Sequence, residues 1–428
     1  MEVLRPKDRG YEKALAALDR RAVPDPKVRA LVAEILAGVE KEGDAALLRY
    51  NRKFGGPSLA ASQIPVAPAE TARAMAELPA PTRRAISAAR ANVRNFARRS
   101  LRKSWFMKNR QGAVVGERFD PFQRVGIYIP GGTAPLVSSA VMTCTLASAA
   151  GVREIVAVTP AGRDGRVHPA LLAALAECGA TEIYRVGGAQ AVAALAFGTK
   201  TIRSVQKIFG PGNAWVVEAK RQAFGRVAVD LLPGPSEVLV IADNSANPSW
   251  IAADLLAQPE HGHGSAAILL TDSAKILAAV EKSLARQVKL SRRPKELAAA
   301  LENATLVLVK DLEIAIRLAN AYAPEHVSIA TASPGEIALQ LTTSGAIFLG
   351  GISPVVGGDF LAGPSHELPT GGAGKSFAGL TVDQFQRRTS VVMFDEPSLR
   401  ASLPFLETFS EIEGLDAHGR SARIRLEK

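Results

Sequence analysis

The chain has 428 residues, of which 47% are hydrophobic and 22% charged, the composition of a folded globular protein with material for two or three domains. No run of 18 apolar residues occurs, which excludes a membrane-spanning helix. Cys144 and Cys178 alone cannot build a disulfide framework or a thiolate zinc cluster. The formal charge of +11 is local: residues 83–110 hold ten basic side chains and no acid, and the remainder is close to neutral.

In chain order, helices are expected over 11–15, 26–54 and 68–99, where Leu31, Ile35, Val39 and Leu47 space out an apolar face. Within 83–110, Ile86, Val93, Phe96, Ala97 and Leu101 predict an amphipathic helix with a cationic face. From about residue 124 short apolar runs alternate with helical segments. Strands are expected over 125–129, 154–158, 182–186 and 205–209, with helices over 138–150, 168–178, 189–196 and 214–224. A second set has strands at 238–242, 266–270, 306–309, 327–330 and 346–349, and helices at 248–257, 276–288, 314–322 and 334–342. After about residue 381 the alternation stops. This is the pattern of parallel sheets covered by helices: two Rossmann-like doubly wound α/β units with a helical N-terminal segment and a C-terminal extension. A ligand is expected outside the carboxyl ends of the strands.

The opening residues 1–9 are charged, with no apolar segment behind them, so no secretory signal is expected and a reducing cytoplasm is the default. The cationic segment fits a solvated face, or attraction of an anionic cofactor or substrate. Nucleic-acid binding is the sharper but less favoured reading, since few aromatics interleave the charges before Trp105-Phe106 and no helix-turn-helix or zinc-finger pattern is present. Neither G-x-G-x-x-G nor a P-loop occurs. Gly187-Gly188-Ala189-Gln190 and Gly210-Pro211-Gly212-Asn213 stand at strand-to-helix junctions, where they serve either as plain tight turns or as backbone donors to an anion.

The six histidines narrow the chemistry. His168, before Pro169 at a helix start, reads as structural. Gln258-Pro259-Glu260-His261-Gly262-His263 ends a helix; Gln258 and His261 share a face three residues apart, although Pro259 disfavours helical geometry at Gln258. Pro324-Glu325-His326 lies between a helix and a strand. Asp359 and His366 share a glycine-rich loop, and Glu413 and His418 lie near the C terminus. Each has a plain surface reading. Together, two imidazoles, a carboxylate and an amide oxygen make a donor set suited to zinc, leaving a Glu-His pair for proton transfer.

The segments together resemble the histidinol dehydrogenase family over essentially the whole chain. The resemblance is carried by Arg124-Val125-Gly126-Ile127-Tyr128-Ile129-Pro130-Gly131-Gly132, Val186-Gly187-Gly188-Ala189-Gln190, Gly210-Pro211-Gly212-Asn213, Gly234-Pro235-Ser236-Glu237, Pro324-Glu325-His326, Gly358-Asp359 and Glu413-Gly414-Leu415-Asp416-Ala417-His418, in that order.

The resemblance implies oxidation of L-histidinol through an aldehyde to L-histidine with two NAD, the last step of histidine biosynthesis. It implies one zinc per subunit, held by Gln258, His261, Asp359 and, across a homodimer with exchanged C-terminal parts, His418. Glu325 and His326 would be the acid–base pair. Ser236, Gln258, His261, His326, Asp359, His366, Glu413 and His418 would surround the substrate, and Tyr128, Gln190 and Asn213 the nicotinamide nucleotide. The implied zinc orients substrate rather than generating hydroxide. The implied domains are an N-terminal helical extension (1–25), a metal and substrate unit (26–127 with 239–380), an NAD unit (128–238) and the extension 381–428. No nucleic-acid or membrane partner is implied. Val355, Ser365 and Pro259 depart from the usual family residues, and His263 is an additional imidazole. A paralogous NAD-dependent dehydrogenase of a sulfonated or other small alcohol is the alternative. A metal-dependent hydrolase would differ in needing no nicotinamide.

Overall fold

A computed structural model describes residues 1–19, 25–131, 135–261, 264–291 and 294–427. The chain opens with β1 (Glu2–Leu4) and α1 (Tyr11–Ala16), then four helices, α2 (Pro26–Glu42), α3 (Asp44–Lys53), α4 (Pro68–Glu77) and α5 (Ala80–Ser100). Strands β2 (Trp105–Lys108), β3 (Val114–Pro121) and β4 (Arg124–Tyr128) follow. Alternation then runs α6 (Val137–Ala150), β5 (Glu154–Val158), α7 (Pro169–Glu177), β6 (Glu182–Tyr184), α8 (Gly188–Phe197), β7 (Lys207–Phe209), α9 (Ala214–Ala223) and β8 (Ala228–Val229). The second series is β9 (Glu237–Ala242), α10 (Pro248–Ala257), β10 (Ala266–Thr271), α11 (Ala274–Leu290), α12 (Pro294–Ala300), β11 (Ala304–Leu308), α13 (Leu312–Tyr322), β12 (His326–Ala330), α14 (Pro334–Ala338), β13 (Ala346–Leu349) and α15 (Val355–Phe360). The chain closes with β14 (Gln386–Met393), α16 (Glu396–Ile412) and α17 (Asp416–Arg423).

Among the described residues the strands form two parallel sheets and one antiparallel sheet. The five-stranded sheet has the order β6-β5-β4-β7-β8 and the six-stranded sheet β1-β11-β10-β9-β12-β13. Central strands such as β4 and β9 are buried at every position, because helices cover both faces and leave no polar side to alternate. Helix α8 is buried nearly all round. The five-stranded sheet reverses direction in sequence between β4 and β7, and the six-stranded sheet between β9 and β12.

Several expected elements differ in detail. The span 26–54 is two helices, interrupted at Gly43 with φ 58° and ψ −129°, and 68–99 is interrupted by the extended pair Leu78 and Pro79. The basic helix stops at Ser100. Leu101 turns extended, and the aromatic run at Trp105 joins an antiparallel sheet, β14-β3-β2, that helical spacing does not anticipate. Phe96, expected on the buried face, is 46% exposed; the face that packs is Ile86, Ala89, Val93 and Ala97. The segment 1–25 is not purely helical, since β1 pairs in parallel with β11 at the sheet edge; residues 20–24 lie outside the described part.

The expected grouping of 26–127 with 239–380 also differs from the packing. Val32, Ile35, Val39 and Leu47 share a core with Val156, Val192 and Ile208, while Ile86 and Val93 share one with Val125 and Leu171. Helices α2–α5 therefore cover the five-stranded sheet.

Candidate active site

The two parallel sheets present opposite ends to the candidate residues. In the five-stranded sheet Tyr128 ends β4, Gly187 lies three residues beyond the end of β6, and Gly210 follows β7, so these residues stand at the carboxyl ends, as expected. In the six-stranded sheet the expectation is overturned. Glu237 begins β9, Glu325 directly precedes β12 and His326 begins it, so the site uses the amino ends. The parallel register, with His326 opposite Val238, sets Glu237 beside the Glu-His pair.

His326 is 4% exposed. Its Nδ1 lies 3.1 Å from the Glu237 carbonyl oxygen and its Nε2 lies 3.3 Å from Asp359 Oδ1. Glu325 is buried; its Oε2 accepts from the Glu237 N–H at 2.8 Å and lies 3.5 Å from His326 Nδ1. Burial raises the Glu325 pKa to about 7, partly offset by His326. Burial opposes charge on His326, but the Glu325 and Asp359 carboxylates outweigh it and hold its pKa above the ordinary imidazole value.

Gln258 caps α10 and opens a short 3₁₀ turn, Gln258–His261, consistent with Pro259 ending α-helical geometry there. The His261 side chain and His263 lie outside the described residues. Gln258 is 2% exposed, and its Nε2 has no hydrogen-bond partner among the described residues. An amide can exchange its N and O ends by a flip, so this buried group can offer an oxygen to a cation. Asp359, on α15, is half-buried, and α15 packs on α10. Amide oxygen, carboxylate and imidazole are a donor set that fits zinc. Among the described residues of one chain no cluster of three or more His, Cys, Asp or Glu side chains could hold a metal.

His366 is largely buried, its Nδ1 3.8 Å from Glu367 Oε1, and Ser236 is half-buried just before β9. Glu413 and His418 are not brought to this cluster by their own fold. Glu413 caps α16, His418 lies in α17, both are exposed, and the two helices pack chiefly on one another.

On the five-stranded side, the Tyr128 hydroxyl accepts from Gly188 N–H at 3.1 Å and keeps its own proton to donate. Asn213 caps α9 through Oδ1, which accepts from Trp215 N at 3.1 Å and Val216 N at 3.2 Å. Gln190 is buried, with Oε1 unpartnered among the described residues. His168 caps α7, accepting from Ala170 N, as its position before Pro169 suggested.

Comparison with known proteins places this arrangement. The histidinol dehydrogenase family profile matches residues 18–426. The chain belongs to the histidinol dehydrogenase family. It is 44% identical to the histidinol dehydrogenase of Geobacillus kaustophilus over 94% of both chains, and 43% identical to that of Brucella abortus over 99% of both. A crystal structure of histidinol dehydrogenase from Elizabethkingia anophelis superposes with a TM-score of 0.93 at 33% identity, covering 100% of this chain and 98% of that one. As a family member the chain is an NAD-dependent oxidoreductase of histidine biosynthesis. Among its described residues no helix is long and apolar enough to cross a membrane.

Sequence reasoning missed four polar residues around this candidate site. Glu237 serves through its backbone, and its carboxylate accepts from Gly371 N–H at 3.0 Å. Asp254, one turn before Gln258, accepts from Val355 N–H, and burial lifts its pKa to about 6. Lys220 is fully buried, and Glu367 is buried beside His366. An ionisable residue inside an otherwise apolar run was the available signal for Asp254, and one at the head of such a run for Glu237.

Proposed function

We propose that this chain oxidises L-histidinol through L-histidinal to L-histidine with two NAD, as a zinc enzyme acting in the cytoplasm and as a homodimer that exchanges its C-terminal region. The observation that carries this reading is His326, fixed by one ring nitrogen to the Glu237 carbonyl and presenting the other beside Asp359, with Glu325 alongside.

A carbonyl oxygen only accepts, so Nδ1 keeps its proton; the neighbouring carboxylates favour the charged ring, and Nε2 is the base in the neutral form reached when the ring gives up its other proton. His326 takes the alcohol proton while the carbinol hydrogen leaves as hydride to the nicotinamide, giving aldehyde and NADH. Glu325 takes a proton from water as its oxygen adds to the aldehyde. The gem-diol keeps the second of the alcohol's two carbon-bound hydrogens; its transfer as hydride to a second NAD, with release of the acid's proton, gives the carboxylate. Burial of the pair limits escape of the aldehyde. Tyr128, Gln190 and Asn213 bind the nicotinamide nucleotide. Gln258, His261, Asp359 and the partner subunit's His418 would hold zinc, which supplies when bound a Lewis-acid anchor for the substrate's imidazole and amine. Ser236, His366 and the partner subunit's Glu413 complete the substrate site.

The exchange is supported by the arm itself. Phe405, Phe409 and Ile412 on α16 are 58%, 63% and 75% exposed in the single chain, an apolar surface suited to a second copy. The deciding assay is absorbance at the NADH band with L-histidinol and NAD. About two NADH per histidine are expected, abolished by a chelator. Absence of NADH from zinc-loaded enzyme would overturn the reading.

A further inference from the structure

We propose that Lys220 and Asp230 are positioning residues of the cofactor site, an ion pair that grips Gly210 by both its N–H and its C=O and so sets the turn between Tyr128 and Asn213. This rests on the reading of Tyr128 and Asn213 as nicotinamide-nucleotide contacts.

The geometry closes a small ring. Lys220, on α9, is 0% exposed and the Asp230 side chain, just beyond β8, is 2% exposed. Lys220 Nζ donates to Asp230 Oδ1 and, at 2.8 Å, to the Gly210 carbonyl. Asp230 Oδ2 accepts from the Gly210 N–H at 2.7 Å. Gly210 follows β7 with φ +106°, and a Cβ there would stand 2.1 Å from the Tyr128 carbonyl oxygen. Only glycine fits so close an approach at that φ, and the turn lies against the backbone of Tyr128. Three residues later Asn213 caps α9, the helix that carries Lys220.

Folding does not demand this pair. Two charges lose their hydration on burial, and an apolar pair of similar volume is commonly as good or better for stability. An apolar pair cannot hold one residue by its donor and its acceptor at once. The pair also adjoins the substrate loop. Glu367, beside His366, interacts electrostatically with Asp230, Lys220 and Glu325. Glu367 thus faces both the clamp and Glu325.

The test uses zinc-loaded dimeric enzyme and compares Lys220→Met/Asp230→Leu, Asp230→Asn and Asn213→Ala with the parent. The double replacement removes the clamp without leaving a lone buried charge. It is expected to raise KM for NAD about tenfold, with KM for L-histidinol within about twofold and bound zinc unchanged, whatever its thermal midpoint. A purely structural pair would move the midpoint and leave the split between the two KM values alone. A folded double variant with parental KM for NAD overturns the proposal. Should that variant fail to fold, Asp230→Asn decides. It keeps an acceptor for Gly210 N–H but weakens the hold on the ammonium; a rise of about threefold in KM for NAD supports the clamp and no rise overturns it. Asn213→Ala separates the two claims. If it leaves KM for NAD unchanged, the cofactor assignment falls and takes the clamp with it. If it raises KM while the clamp variants do not, only the clamp falls.

Discussion

His326 Nδ1 lies 3.1 Å from the carbonyl oxygen of Glu237, a residue 89 positions earlier in the chain. That contact keeps a proton on Nδ1, so in the proposed mechanism the ring reacts through Nε2. His326→Asn should lower kcat by about 10²–10⁴-fold, the usual worth of a general base, while zinc content stays at the parental level. Steady-state kinetics with metal analysis checks both; loss of zinc along with activity would assign His326 to the metal instead.

In the proposed mechanism Glu325 acts in the second half of the reaction only. Glu325→Gln still accepts from Glu237 N–H, so the site keeps its shape, but the water-activating carboxylate is gone. A rapid first NADH per site is expected, followed by a step slowed about 10²–10³-fold. Because burial lifts the Glu325 pKa to about 7, the base form is lost as pH falls through that value. Oxidation of supplied L-histidinal should therefore decline below about pH 7 in the parent, and lose that dependence in Glu325→Gln. Stopped-flow absorbance follows both.

The buried Arg124 guanidinium pairs with Glu182 at 2.5 and 2.8 Å and with Glu154 at 2.6 Å, tying β4, β5 and β6 together. The hydrogen bond from Arg124 lowers the Glu182 pKa to about 2, against burial. A lowered folded-state pKa gives stability that is complete above the unfolded value near 4.3 and lost as pH falls through about 2. Glu182 is partly exposed, so the contribution is about 1–2 kcal/mol after solvent screening. Thermal midpoints between pH 6 and pH 2 should fall more steeply in the parent than in Glu182→Gln.

Exchange of the C-terminal arm makes a stoichiometric prediction. His418→Ala and His261→Ala should each be nearly inactive. After mixing, about half the dimers are mixed and each has one intact site, so about a quarter of parental activity should return. No recovery, with subunit exchange shown by mass, would place the arm on its own chain's site.

Patterning along the chain was enough for much of the fold. Strands such as 154–158 and 238–242 and helices such as 248–257 are where the apolar runs put them, because burial on both faces leaves a continuous hydrophobic signature. Interruptions carried by single backbone angles, as at Gly43, and the antiparallel pairing of β14 with β3 left little trace. A short exposed strand such as 105–108 has no buried face to impose alternation.

For the site, the histidines, the Gln258 turn and the Glu-His pair stood out by residue type, and the glycine turns by their place between strand and helix. Which of them meet was decided by tertiary structure. The order β10-β9-β12 sets residue 237 beside residues 325 and 326, and a buried turn around Gly210 joins Lys220 to Asp230. Local periodicity reports which face of a segment avoids water. Sheet order and register depend on how whole faces pack together, and no segment encodes its own neighbour.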